Sequence, residues 1–276
     1  MAKKVAKKEA APKRASKRSE GLGPLQVHLY EVTGKVAGTV DLPPVFGSDV
    51  RVDLIRRAVT AFTSNRRQPY GAAPRAGMRH SVRWSGKGHG VSRVTRIRGT
   101  MIGAQSPGTV GGRAAFPPEV ARIWGKKVNE KERRKARNAA LAAIHDPHVV
   151  AGRGHRFPAK VTVPIVVQDA LEEIDSVSEA AGFLDALGLF GDVERAKEGT
   201  HIRAGRGKMR GRRYRVPRGP LLVVRNAAGV RQGFGNLPGL QVTTPSGLNA
   251  EVLAPGGHPG RLTIFSASAL EALRGW

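Results

Sequence analysis

Between Asp53 and Glu119 the chain carries no acidic side chain, although the interval is crowded with arginine. Residues 64–117 read SNRRQPYGAAPRAGMRHSVRWSGKGHGVSRVTRIRGTMIGAQSPGTVGGRAAFP. Their cations are Arg66, Arg67, Arg75, Arg79, Arg83, Lys87, Arg93, Arg96, Arg98 and Arg113, spaced by glycines and prolines, and their large aromatic groups are Tyr70, Trp84 and Phe116. Such a segment buries too little apolar surface to offset the roughly 1–2 kcal/mol per residue that ordering its backbone costs. A loop longer than about 15 residues without secondary structure is uncommon in a compact domain unless it is functional or disordered. An external partner is therefore expected to order this one. The partner is polyanionic, because only dense negative charge gathers so many uncompensated arginines, and the commonest dense array is phosphate.

The 276 residues together hold 47 lysines and arginines against 21 aspartates and glutamates, a formal net charge of +26. That balance points to nucleic acid or an anionic membrane surface. Arginine dominates the loop, and its planar fork suits bidentate phosphate contact and base stacking better than an ammonium does. With no cysteine in the chain, disulfides, thiolate chemistry and zinc-finger ligation are excluded. No apolar run reaches the roughly 18 residues that cross a bilayer. The start, MAKKVAKKEAAPKRASKRSE, is charged but has no apolar centre, so it does not read as a secretory signal. Residues 1–20 are expected to be a disordered basic tail that contacts RNA, and the whole to be a soluble intracellular protein.

Around the loop the pattern is that of a folded domain. LQVHLYEV alternates as a strand with Val27 and Leu29 buried, and GKVAGTVDLPPVF adds a turn and a second strand that stops at Pro43 and Pro44. From Asp49 the period becomes helical, with Val52, Ile55, Val59 and Phe62 on one stripe. After the loop, FPPEVARIWG is expected to form a short helix and NEKERRKARNAALAAIH a longer one, opened by a capping box of Asn129 and Glu132. Its early turns carry Lys131, Arg133, Arg134, Lys135 and Arg137, and its later ones alanines, Leu141 and Ile144. VTVPIVV is the continuous apolar run of a buried strand. SVSEAAGFLDALGLF predicts a helix with a second capping box, Ser176 and Glu179, ending near Gly188 and Gly191. PLLVVRN, LPGLQVTTP and RLTIFS supply further strands and ALEAL a closing helix. Strands alternating with helices predict an α/β fold: a single open mixed, mostly parallel sheet with helices on both faces, plus a long irregular basic loop extension. The globular domain is expected to comprise residues 21–63 and 118–276, and the extended Arg/Gly-rich loop residues 64–117.

A second block, residues 202–218, reads IRAGRGKMRGRRYRVPR and is also free of acids. Neither it nor Gly86-Lys87-Gly88-His89-Gly90 fits the phosphate-loop pattern, and Gly205, Gly207 and Gly211 are one residue too widely spaced for a dinucleotide fingerprint. These glycines instead let backbone approach a phosphate surface closely. His145 and His148 stand three apart, but Pro147 breaks any helix between them and no third ligand follows at a metal-binding spacing, so no metal is expected. No G-x-S-x-G elbow accompanies the histidines, and neither catalysis nor a cofactor is expected. Prolines and glycines forbid an amphipathic membrane helix in either block. Irregular RNA offers phosphates and unstacked bases on which arginine and aromatic planes stack. The alternative is an RNA-modifying enzyme with a Rossmann-like domain and a basic RNA-gripping insertion, for which LYEVTGKVAGTV lacks the glycine motif.

Four stretches, RIWGKKVNEKERRKARNAALAA (122–143), GRGKMRGRRYRVPRGPLLVV (205–224), NLPGLQV (236–242) and LAPGGHPGRLTIFSASAL (253–270), occur in an order and spacing that resemble one family. The family is the archaeal branch, close to the eukaryotic one, of ribosomal protein four of the large subunit. The resemblance implies a non-enzymatic structural constituent of the large ribosomal subunit, cytoplasmic and present there as a monomer. Its α/β domain would sit on the outside of the subunit and bind large-subunit ribosomal RNA early in assembly. Its long loop would penetrate the RNA beside neighbouring ribosomal proteins and help line the polypeptide exit tunnel, with residues 83–101 at the tip. The expected rRNA-binding residues are the ten loop cations with Trp84, then Lys131, Arg133 and Arg134, then Arg206, Lys208, Arg210, Arg212, Arg213 and Arg215.

Overall fold

The apolar runs read from the sequence become the centre of one six-stranded sheet. The computed structural model describes residues 22–276, and the expected tail at 1–20 lies outside the described residues. In chain order, β1 (Gln26–Tyr30) and β2 (Val36–Asp41) form an antiparallel hairpin, followed by α1 (Val52–Asn65). The short strands β3 (Val82–Arg83) and β4 (Arg96–Ile97) pair within the basic loop. Next come α2 (Glu130–Ala142), α3 (Pro147–Gly152), β5 (Ile165–Val167), α4 (Val177–Ala186) and α5 (Phe190–Glu198). A second small hairpin, β6 (His201–Ile202) with β7 (Tyr214–Arg215), leads to β8 (Leu221–Val223) and α6 (Val230–Phe234). The chain closes with β9 (Gln241–Thr243), α7 (Ala250–Leu253), β10 (Thr263–Ser266) and α8 (Ala267–Ala272). The main sheet runs β2-β1-β5-β10-β8-β9, and every pairing except β1 with β2 is parallel. The expected mixed, mostly parallel α/β sheet is what forms. Two compact units divide the chain: one takes in the residues up to Phe62 together with Lys127–Trp276, the other Thr63–Lys126.

Consecutive residues of the central strands serve opposite faces, which is why their sequences run apolar without alternation. On one face Val166, Leu221, Val223 and Phe265 share a core with Ile55, Ala58 and Val59 of α1 and with Ala136, Ala139, Ala140 and Leu141 of α2. On the other, Ile165, Val167, Leu222 and Ile264 meet Phe183 and Leu184 of α4, Val193 of α5 and Phe234 of α6. Each large apolar side chain buried this way contributes roughly 1.5–3 kcal/mol. The α1 stripe read from the sequence is the one that packs.

Several expectations need correction. FPPEVARIWG makes only a turn closed by the Arg122 N–H on the Glu119 carbonyl, because Val120 and Ile123 remain exposed and nothing offsets the cost of nucleating a helix. Asn129 and Ser176 occupy the N-cap positions of α2 and α4, but neither side chain makes a cap bond; Glu132 instead accepts from Arg57 at 3.2 Å. VTVPIVV is a strand only from Ile165, since Pro164 cannot donate to a ladder. Tyr30 is buried beside Val27, on the opposite face of a strand covered from both sides. α2 ends at Ala142, before His145, and Pro147 starts α3 as its first residue, with the Asp146 carboxylate capping the His148 N–H at 2.8 Å. The glycines after α4 hide a restart: Gly188, at φ +68°, ends α4 with Leu189 N–H on the Leu184 carbonyl, and α5 begins at once.

Gly239 in NLPGLQV holds φ +77°, and its carbonyl accepts from Gly219 N–H at 2.9 Å. A Cβ there would lie 2.7 Å from the Ala196 Cβ and 2.8 Å from the Pro217 carbonyl oxygen. One buried polar cluster sits among the helices: Asp192 accepts from His155 Nδ1 (2.9 Å), Arg195 Nε (2.8 Å) and Arg156 N–H (2.9 Å). Burial alone would raise the Asp192 pKa, but the bonds from His155 and Arg195 outweigh it and hold the carboxyl below its usual range. Burial pushes His155 below its ordinary 6.5, against the pull of Asp192.

The left-handed backbone costs an alanine about 1–2 kcal/mol before any overlap, so Gly239→Ala is expected to lower the melting temperature by about 4 °C or more. Calorimetry checks this. The His155 shift has a definite sign. An unfolded histidine takes up its proton as pH falls through 6.5, whereas the folded one resists, so stability is lost as pH falls below 6.5. The melting temperature is expected to drop from neutral to mildly acidic pH, and the slope to flatten in His155→Asn.

Candidate nucleic-acid interface

Within Thr63–Lys126 only Ser64 and Ala104 are buried, so a hydrophobic core does not hold this unit. Hydrogen bonds and ring stacking give it its path. At its base, Asn65 Oδ1 accepts from Lys126 N–H at 2.8 Å and Ser64 Oγ donates to the Trp124 carbonyl at 2.6 Å. Tyr70 stacks on Trp124 with ring centres 5.3 Å apart, and the guanidinium groups of Arg67 and Arg122 lie 3.7 Å and 4.3 Å from the Trp124 ring centre. Ala72 N–H donates to the Pro118 carbonyl at 2.9 Å. Further along, Gln105 Nε2 donates to the His80 carbonyl at 2.6 Å, and the Gln105 carbonyl accepts from Arg113 N–H at 3.3 Å. The outgoing and returning chains are thus laced together at several levels. Trp84, Met101, Ile102, Val110, Phe116 and Ile123 are left exposed, an unusual density of apolar groups in water.

The cations divide into two kinds. Arg75, Arg79, Arg83, Lys87, Arg93, Arg98 and Arg113 are exposed and make no ion pair among the described residues, and Glu119 is the only acid in the unit. Arg66 is exposed as well. Arg67 and Arg96 serve the fold. Arg67 covers Trp124, and Arg96, half-buried in β4, donates to the Met101 carbonyl and to Ser92 Oγ at 3.0 Å. Sequence reading could not separate these two from the rest, because the separation depends on which ring and which carbonyl the turns bring near.

The other predicted cations lie in the larger unit. In α2, Lys131 and Arg133 are exposed, while Arg134 pairs with Glu130 at 2.6 Å. An exposed pair of this kind contributes at most about 1 kcal/mol, so the Arg134 guanidinium is easily given up to a phosphate. Arg137 lies 3.5 Å over the Trp276 ring, and burial lowers its pKa. The β6–β7 hairpin displays Arg206, Lys208, Arg210, Arg212, Arg213 and Arg215, all exposed. Gly205 and Gly211, at φ +76° and +75°, turn the connection. Arg203 braces it from within, donating from Nε to the Arg212 carbonyl at 3.2 Å. Sequence reading passed over Arg122, exposed against Trp124; Lys126 and Lys127, read from the sequence as part of the basic segment at 126–137, are exposed as well.

The C-terminal edge of the sheet, where open α/β folds hold ligands, is filled by the protein's own carboxylate. Glu172 accepts from Arg225 and Asn226 N–H at 2.7 and 3.0 Å and from Ser266 Oγ at 2.7 Å. The enzyme alternative finds no support there. Among the described residues no group of three metal-ligating side chains forms, and no helix is long and apolar enough to cross a membrane.

A family model described as the ribosomal protein L4/L1 family matches residues 40–276. The chain is 44% identical over 251 residues to the large ribosomal subunit protein uL4 of Thermoplasma acidophilum, covering 90% of this chain and 97% of that one. It is 46% identical over 249 residues to the protein of the same name from Methanothrix thermoacetophila and 44% over 254 residues to that from Methanopyrus kandleri, each alignment covering 90% of this chain and 98% of the relative.

Because Trp124 gathers the stacking at the base of the smaller unit, Trp124→Ala is expected to speed tryptic cleavage within Thr63–Lys126 several-fold while leaving the melting temperature of the remainder within about 2 °C of the parent. Limited proteolysis with peptide mapping reads the first effect and calorimetry the second.

Proposed function

The chain belongs to the ribosomal protein L4/L1 family, and from that premise we propose that it is a structural constituent of the large ribosomal subunit. It is not an enzyme. It binds large-subunit ribosomal RNA early in assembly, as a single copy among neighbouring ribosomal proteins, in the cytoplasm. The observation that carries this reading is the set of exposed arginines and Lys87 in a unit whose only acid is Glu119. Cations such as Arg75, Arg79, Arg83, Lys87, Arg93, Arg98 and Arg113, which make no ion pair among the described residues, can displace the counterions of a phosphate backbone, and the release of those ions drives binding.

Two parts of the chain, with bounds read from the sequence, divide the work. Residues 21–63 and 118–276 form the domain that positions the loop, and residues 64–117 thread between RNA helices. There the loop helps line the polypeptide exit tunnel, with residues 83–101 at its tip. Trp84, beside Arg83, offers a plane on which an unstacked base can rest. The β6–β7 hairpin and the first turns of α2 supply further phosphate contacts. Arg67 and Arg96 act indirectly, by holding the loop in shape.

Binding through about eight such cations is expected to weaken steeply with salt, with a log-log slope on the order of −5 or steeper. Replacing residues 66–113 by a short Gly/Ser turn should flatten that slope and lower the affinity for large-subunit ribosomal RNA, with the far-UV circular dichroism of the larger unit retained. An unchanged slope would move the main anchor from the loop to the β6–β7 hairpin. A collapsed spectrum would make the loop part of the domain's core.

A further inference from the structure

Three loops enter the main sheet side by side: residues 153–164 lead into β5, 216–220 into β8 and 254–262 into β10. At this N-terminal edge, opposite the one that Glu172 fills, lies a cleft of about 640 Å³ lined by Arg153, Arg195, Arg215 and Arg218. Asp192 meets the charge of Arg195. Arg153 donates to the carbonyls of Pro255, at 3.0 Å, and His258, which fix the guanidinium without neutralising it. Arg215 and Arg218 form no ion pair among the described residues. The crowding is felt by its members: burial and then repulsion from Arg195 lower the Arg153 pKa, and Arg261, buried behind the loops, is lowered by burial and then by Arg218 and Arg153.

Shape narrows the choice of anion. Pockets that take small organic ligands span roughly 300–1,000 Å³, so this one admits a nucleotide and excludes a duplex. Guanidinium forks grip phosphate oxygens in pairs. Pro217, Pro255 and Pro259 add apolar walls for a ribose or base. Arg215 and Arg218 also end the basic block at 202–218, so a strand lying on that block runs directly to the cleft. We propose that the cleft seats one unstacked nucleotide of an RNA strand, its phosphates held by Arg153, Arg215 and Arg218. The assignment rests on the RNA-binding reading above.

Gly152 lines the cleft, and a Cβ there would meet no atom within 4 Å. Gly152→Glu and Gly152→Gln therefore add side chains of one size and different charge, and both full-length variants are expected to keep the parent's circular dichroism. With a transcript of large-subunit ribosomal RNA at fixed salt, Gly152→Glu should bind about tenfold more weakly than Gly152→Gln. A 4-thiouridine-substituted transcript should crosslink to the peptide that holds Pro255 and Pro259, away from the basic block. Equal affinities for the two variants, with the parent binding tightly, overturn the cleft assignment and leave the RNA reading standing. If the parent itself shows no salt-dependent RNA binding, the RNA reading fails and the cleft assignment falls with it. Saturable binding of free adenosine monophosphate, abolished by Gly152→Glu while RNA affinities stay equal, gives the cleft to free nucleotides and equally sinks the proposal.

Discussion

Positive charge without its counter-charge is the constraint around which this protein is arranged. Thr63–Lys126 holds Glu119 as its only acid, and residues 202–218 hold none. Like charges at such density repel one another and resist compaction, so these segments cannot be tied together by ion pairs or by a core. They are tied by contacts that leave guanidinium groups charged: carbonyl acceptors for Arg96 and Arg203, and the Trp124 ring for Arg67 and Arg122. A fold built this way keeps its cations available to a partner.

The larger unit supplies what the basic segments lack. A parallel sheet covered on both faces concentrates apolar burial in a few short strands, and α1 and α2, which carry the chain into and out of Thr63–Lys126, pack on one shared core with Val166 and Phe265. Arg57 on α1 and Glu132 on α2 add a link at their surface, at 3.2 Å. The middle of α1 and the later turns of α2 are therefore held by hydrophobic packing, while Ser64 and Asn65 at the end of α1 are bound by hydrogen bonds to Trp124 and Lys126. Two of the acids in the larger unit are taken up by the fold itself. Asp192 is buried under His155 and Arg195, and Glu172 is spent on the C-terminal edge of the sheet.

Much of this was legible in the residues. Ile55 and Val59 declared their buried stripe by period, and the runs PLLVV and RLTIF declared two-sided burial by lacking alternation. Where reading failed, the missing information was either the presence or the absence of a tertiary neighbour, or a restart that no local rule signals. Glu132 left the expected capping box for Arg57, seventy-five residues away in sequence. The turn at residues 119–122 never extended into a helix because nothing packs on Val120 and Ile123. Helix α5 was missed because Gly188 marks the end of α4, and a glycine stop carries no information about how soon the next helix starts.

The site divides in the same way. Which stretches are basic, that they lack acids, and that cysteine chemistry is absent follow from the sequence alone, because charge and residue type are properties of the chain. Which arginines face outward and which are consumed by the fold was decided only in three dimensions. Arg96 and Arg98 lie two residues apart in the same basic run, yet one is bound to the Met101 carbonyl and the other stands exposed. Arg153, Arg195, Arg215 and Arg218 come from three separate parts of the chain and share a cleft because the loops entering the parallel strands meet α5 and the end of β7 at one edge of the sheet. Charge can be counted along a chain, but the distance between charges exists only after folding.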